Sequence, residues 1–210
     1  MAEATDHPLE RLVFFSDAVF AIAITLLIIE IHPPHLEHGA SDVAQWQALA
    51  SLIPKFVGYV VGFWVIGMFW MGHHRSYALA KHYSGAILPW NLMLLMMIAF
   101  MPFVTGYFSS NFGERVPSLV YCLAVLSAAL LNLKVNQTAT GPDMVGADVA
   151  AADIVNIRRR SLSVVLGAAS AVVLSLIVPI AAPTGLVLIP LWRWLLGLAA
   201  GAAPTEASAK

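Results

Sequence analysis

Apolar residues in this chain fall into six long blocks, at about 10–31, 53–72, 86–108, 116–134, 161–182 and 185–203, each bounded by charge, proline, glycine or polar clusters. A helix of roughly 20 apolar residues crosses a hydrocarbon core of about 30 Å. In lipid such a helix satisfies every backbone N–H and C=O within itself. The blocks are too long and too continuous for the alternating strands of a barrel. They predict an all-α integral membrane protein with six transmembrane helices per subunit. Composition agrees: 60% of residues are hydrophobic and 11% charged, against roughly 45–50% and 25% in soluble domains.

Four of the predicted spans lie in residues 1–134, the first of them at 10–31. A polar connection at 135–160 follows, with Asn136, Gln137, Gly141, Pro142, Asp143, Asp148 and Asp153 ahead of the basic run Arg158, Arg159 and Arg160. It reads as a solvated cytoplasmic loop with room for one surface helix. The last two spans occupy 161–203, and 204–210 form a cytoplasmic tail. Cytoplasmic flanks of membrane helices carry an excess of Lys and Arg. Placing both termini inside puts Arg11, Arg75, Lys81, Lys134, Arg158, Arg159, Arg160 and Lys210 on inner flanks and leaves only Lys55 and Arg115 outside. The first outer loop, 32–51, has no Lys or Arg. Acidic Glu3, Asp6 and Glu10 precede the first block, which reads as a retained span rather than a cleaved signal. A net charge of −1 gives no basic surface for nucleic acid, and the single Cys122 cannot form an intrachain disulfide.

Small residues four apart, Gly58 with Gly62, Gly167 with Ala171 and Gly197 with Gly201, form shallow patches where helix backbones can approach closely.

An ionisable residue inside a membrane helix is costly and faces protein or water. Asp17 is such a residue, in the string Arg11-Leu12-Val13-Phe14-Phe15-Ser16-Asp17 near the inner end of the first span. A basic partner on another helix would hold it in place. Beyond Asp17 the helix is apolar all round except for Thr25. Ile22, Leu26 and Ile29 share a stripe at i, i+4, i+7 spacing, with Thr25 beside them. Such a stripe suits helix packing as well as a gate.

The motif Arg-x-x-x-Phe-Ser-Asp at 11–17, followed by Ala-Val-Phe-Ala-Ile-Ala-Ile-Thr-Leu-Leu, resembles the signature of the transmembrane protein 175 family, which comprises endolysosomal potassium channels and bacterial homologues. Trp70, His73, His74 and Arg75 at the end of the second span, and Asn91, Pro102 and Phe103 in the third, extend the likeness. It covers the first half of the chain, and the second half only by hydropathy. The resemblance implies a homotetramer of six-helix subunits in a bacterial inner membrane, with the first helix lining a central potassium pathway. It places Ile22 at the narrowest hydrophobic ring, adds rings at Leu26 and Ile29, and lets Thr25 offer hydroxyl oxygens to a partly dehydrated monovalent cation. No cofactor beyond the permeant potassium ion is implied. Independently of the family, a ring of apolar side chains gates by dewetting, because an ion there loses hydration without replacement ligands.

Val57-Gly58-Tyr59 looks like part of the carbonyl filter of other potassium channels, but Val60 replaces the second glycine and the span continues unbroken. Adjacent His73 and His74 point in different directions on a helix and so do not share one metal ion. Their expected place, with Arg75, is the inner membrane boundary, bonding to the Ser16 and Asp17 end of the first helix. The competing transport mechanism is a proton-coupled or metal-ion carrier that uses Asp17, His73 and His74 as relay or ligand groups. His32, His35 and His38 with Glu30, Glu37 and Asp42 make the outer loop polar. No phosphate-binding loop, nucleophile elbow or metalloprotease motif occurs, so no enzymatic activity is expected.

Overall fold

The computed structural model describes residues 7–201. The expected tail at 204–210, the acidic residues Glu3 and Asp6, and the last two residues of the sixth block lie outside that range. The elements among the described residues are helices: α1 His7–Leu26, α2 Asp42–Ala50, α3 Ile53–Tyr77, α4 Leu88–Ser110, α5 Arg115–Ala139, α6 Ala151–Ile177 and α7 Ile189–Gly201, with 3-10 turns at Gly85–Ile87 and Pro179–Leu188. Five stretches are long and apolar enough to cross a membrane: Asp42–Tyr77, Gly85–Ser110, Arg115–Ala139, Ala151–Ile177 and Pro179–Ala199. The first predicted span, α1, is not among them. Glu10, Arg11 and Asp17 all fall within its 20 residues.

Three boundaries differ from the sequence reading. The first helix ends at Leu26 rather than 31, and the chain leaves it through tighter turns, with Ile29 N–H donating to the Leu26 carbonyl and Ile31 N–H to that of Ile28, both at 3.1 Å. Pro33 and Pro34 follow closely and disfavour helix in the residues before them. The polar connection at 135–160 is non-helical only over 140–150. Val135, Asn136 and Ala139 are buried as α5 continues, and α6 begins at Ala151 with mostly exposed side chains. Hydropathy there reports depth in lipid, whereas the helix runs on into water. A 3-10 segment through Pro179 and Pro183, Pro179–Leu188, crosses the expected junction of the last two spans, and α7 begins only at Ile189 rather than 185. Each proline removes one amide donor and crowds the preceding turn.

Around α4 pack α1, α3 and α5, while α6 is held against α5, the Pro179–Leu188 segment and α7. Phe20, Leu27, Ile66, Leu94, Ile98, Met101 and Phe108 are among the fully buried side chains. Glycine permits the closest helix approaches. A Cβ on Gly62 would stand 3.0 Å from Thr105 Cγ2 and 3.1 Å from Leu27 Cδ2, and one on Gly58 would meet Ser109. A Cβ on Gly185 would run into the backbone of Ala171, and one on Gly167 into Ile189. The first two small-residue pairs therefore lie at helix contacts, whereas Gly197 faces open space.

The connections α3–α4 and α5–α6 are clipped together. Ala80 and Val145 form an isolated antiparallel bridge, and the Lys81 and His82 amides donate to the Met144 carbonyl at 2.7 and 3.0 Å. Lys81 Nζ donates to both carboxylate oxygens of Asp148 at 2.7 and 2.6 Å, holding that carboxyl below the usual range. The loop at 32–51 contains a helix that hydropathy does not reveal, α2, capped by Ser41 Oγ accepting from Ala44 N–H at 3.3 Å.

Candidate functional site

Two faces of α1 have opposite environments. Leu9, Leu12, Ser16, Phe20, Ala23 and Leu27 are buried against the rest of the chain. Their spacing of three and four keeps them on one face. The other face holds Ile22, 58% exposed, Leu26, 39%, and Ile29, 63%, with Thr25 also exposed. The predicted stripe is therefore largely left uncovered by its own chain. Thr25 Oγ1 donates its proton back to the helix, 2.9 Å from the Ile22 carbonyl and 3.1 Å from that of Ala21. Ile29 lies past the end of the helix, in the turn residues, and not on its last turn as the regular spacing predicts.

The buried face is fixed by a polar clasp. Asn91, on α4, donates its amide N–H to Ser16 Oγ at 2.9 Å, and the Ser16 hydroxyl donates to the Leu12 carbonyl at 2.8 Å. Asn91 Oδ1 accepts from His73 Nε2 at 3.0 Å and from the Tyr77 hydroxyl at 3.2 Å. Because Oδ1 can only accept, His73 carries its proton on Nε2 in this arrangement, and Nδ1 is the bare acceptor. That atom is buried without a hydrogen-bond partner. Phe20 and Tyr77 flank the imidazole, with ring centroids 5.6 and 4.3 Å away. Ser16, His73 and Asn91 each have 0% of their surface exposed, so the network is dry as well as complete except for Nδ1.

Asp17 has a different neighbour from the basic one expected. Its carboxylate accepts from the Trp70 indole N–H at 2.8 Å, and Trp70 in turn stacks on His74 with centroids 5.5 Å apart. An indole on α3 one turn before His73 reaches the α1 carboxylate where a longer basic side chain does not. His73 and His74 diverge as adjacent helical residues must, one buried and one exposed. Among the described residues no group of three or more His, Cys, Asp and Glu is placed to hold a metal ion. Arg75 does not join the Ser16 and Asp17 end of α1, because it lines a cavity between α3, α5, α6 and α7. Arg11 and Phe15 remain exposed, beside a surface groove shared with Tyr83 and Leu92. Tyr77 is the member of the clasp that the motif reading missed. Its position four residues after His73 was the available signal.

The family model described as "Endosomal/lysosomal potassium channel TMEM175" matches residues 11–102, the stretch that holds every residue of the clasp. Over those residues the chain is similar to the TMEM175 family. A Streptomyces collinus protein named as a potassium channel is 37% identical over 57% of this chain and 59% of its own length. A Chamaesiphon minutus protein, also named as a potassium channel, is 36% identical over 58% of this chain and 61% of its own. The chain thus matches about three fifths of the length of these relatives. The crystal structure of a lysosomal potassium-selective channel TMEM175 homolog from Chamaesiphon minutus superposes with a TM-score of 0.73 at 26% identity, covering 93% of this chain and all of that one. TMEM175 relatives are ion channels and not enzymes, in keeping with the absence of enzyme motifs in this sequence.

Proposed function

We propose that this protein is a potassium-conducting channel, a homotetramer in which four copies of α1 surround the permeation axis. The observation that carries this reading is the two-faced character of α1. One face is locked to α3 and α4 by the clasp, and the other presents Ile22, Thr25, Leu26 and Ile29 uncovered. Cyclic assembly brings one such face from each subunit to a common axis. There Ile22 closes a hydrophobic ring, Leu26 and Ile29 extend it, and Thr25 lends oxygen lone pairs to an ion that has shed part of its hydration. Motion is down the electrochemical gradient, with no bound cofactor. The protein sits in a bacterial inner membrane with both termini cytoplasmic, following the asymmetry of Lys and Arg.

Planar-bilayer recording of the purified protein under opposed potassium and sodium gradients tests this directly. The expected result is a unitary current whose reversal potential lies toward that of potassium. A flux that saturates like a carrier's, or no current from pure protein, overturns it.

The buried bare Nδ1 of His73 favours a second reading, a proton-coupled carrier in which that atom receives a proton. It requires the reversal potential to follow an imposed pH gradient. His73→Gln would abolish that dependence.

A further inference from the structure

Three arginines from three helices line one cavity at the end of the bundle away from the outer loop: Arg75 on α3, Arg160 on α6 and Arg193 on α7. They are close enough that Arg160 feels the positive charge of both others. None of the residues lining the cavity is acidic. Among the described residues no salt bridge reaches any of the three. Like charges gathered without a counterion repel one another, and an anion bound among them would offset that repulsion.

The floor of the cavity is polar in a complementary sense. Asn132 and Asn136, 3% and 1% exposed, are among its lining residues, and the Oδ1 atom of each has no hydrogen-bond partner. Asn136 spends its amide N–H on Ser161 Oγ at 2.7 Å, so its carbonyl oxygen is the atom left to accept. Arginine forks bind phosphate oxygens in pairs, and a buried carbonyl oxygen asks for a hydroxyl. The cavity holds about 220 Å³, room for roughly seven waters at about 30 Å³ each and more than a bare phosphate group requires. Met68, Phe69, Val164 and Ile189 supply apolar wall on the membrane side of the arginines.

We propose that this cavity binds a phosphate group that also bears a hydroxyl, with Arg75, Arg160 and Arg193 gripping the phosphate and Asn132 and Asn136 accepting from the hydroxyl. Such chemistry is offered by an anionic glycerophospholipid headgroup and by free hydrogen phosphate. The site does not depend on the conduction reading, since no residue in it lies on α1.

Native mass spectrometry and thermal unfolding of the full-length protein in detergent test it with four probes: phosphatidylglycerol, phosphatidylcholine, methylated phosphatidic acid and inorganic phosphate. Phosphatidylglycerol is expected to be retained and to raise the unfolding midpoint, with phosphatidylcholine giving neither effect. R193Q removes one fork from an exposed position and should weaken that retention roughly tenfold or more, as loss of a charge-assisted bond does. N132L, which leaves all three charges, should weaken phosphatidylglycerol but not a lipid phosphate lacking hydroxyls, phosphatidic acid with its headgroup methylated. Stabilisation by inorganic phosphate alone, sensitive to R193Q, assigns the site to the free anion. Equal retention of phosphatidylcholine, or retention unchanged in R193Q and in R160Q, overturns the proposal.

Discussion

Trp70 donates its indole N–H to the Asp17 carboxylate across the α1–α3 contact at 2.8 Å. The bond crosses between helices at the depth where α1 carries its one mid-helix charge. It explains how a carboxylate is kept in an apolar helix without a basic partner, since a charge-assisted N–H replaces part of its lost hydration.

Interhelical hydrogen bonds in membrane proteins contribute about 0.6 kcal/mol on average and up to about 1.7 kcal/mol. Trp70→Phe and Asp17→Leu should each lower stability by an amount in that range, and the double variant by little more than either alone. Asp17→Asn keeps an acceptor and should lose less. Unfolding in detergent, arranged as a double-mutant cycle, measures this coupling; strictly additive losses would show that the bond contributes nothing.

Asn91→Leu should be far more damaging. It leaves the His73 Nε2–H and the Tyr77 hydroxyl without the acceptor they share, and each stranded buried donor costs about 1–3 kcal/mol. The measurement is the yield and unfolding midpoint of the purified protein, with Asn91→Ala as a second variant that leaves space for water. A wild-type midpoint for both would remove the clasp from the account of how α1 is held.

Ile22→Asn should separate fold from permeation. Ile22 is 58% exposed in the single chain, so the polar substitution is expected to change subunit stability by no more than about 0.5 kcal/mol. In single-channel recordings the same change should ease wetting and raise cation current or weaken selectivity. Conductance and selectivity both equal to wild type would remove Ile22 from the permeation path.

The Lys81–Asp148 pair gives a pH prediction for the clip between connections. The Asp148 carboxyl is held below its ordinary value by the Lys81 ammonium. A carboxylate with a depressed folded-state pKa stabilises the fold above its unfolded value and loses that contribution as pH falls through the folded one. The stability difference between wild type and Asp148→Asn should therefore be constant near neutrality and vanish in acid, below the usual carboxylate range. Its size should be small, because both side chains are mostly exposed, at 52% and 70%, and salt should reduce it further. A carbon-detected titration of Asp148 reads the midpoint; a value at or above the ordinary carboxylate range would contradict the pairing.

How far the sequence speaks depends on which physical property a residue advertises. Apolar length located α3, α4 and α5 to within a few residues, because the hydrocarbon core sets that length. It misjudged the ends of α1 and the 135–160 connection, since a helix in water and a helix in lipid differ in polarity but not in backbone. The 3-10 form of Pro179–Leu188 was foreshadowed by its prolines, yet those residues are apolar enough to blur into the span. At the site, a link from His73 to the Ser16 end of α1 was legible, whereas Asn91 was marked only by the resemblance. Only the fold reveals that Asn91 stands between the other two, that Trp70 and not a cation meets Asp17, and that Arg75 turns away to join Arg160 and Arg193.

The division of α1 into a clasped face and an uncovered one separates two kinds of selection. Positions such as Ser16, Phe20 and Leu27 answer to the integrity of the subunit, and changes there propagate into α3 and α4. Ile22, Leu26 and Ile29 are largely uncovered within their own chain, so under the proposed assembly substitutions along that edge would retune traffic while leaving the architecture of each protomer intact.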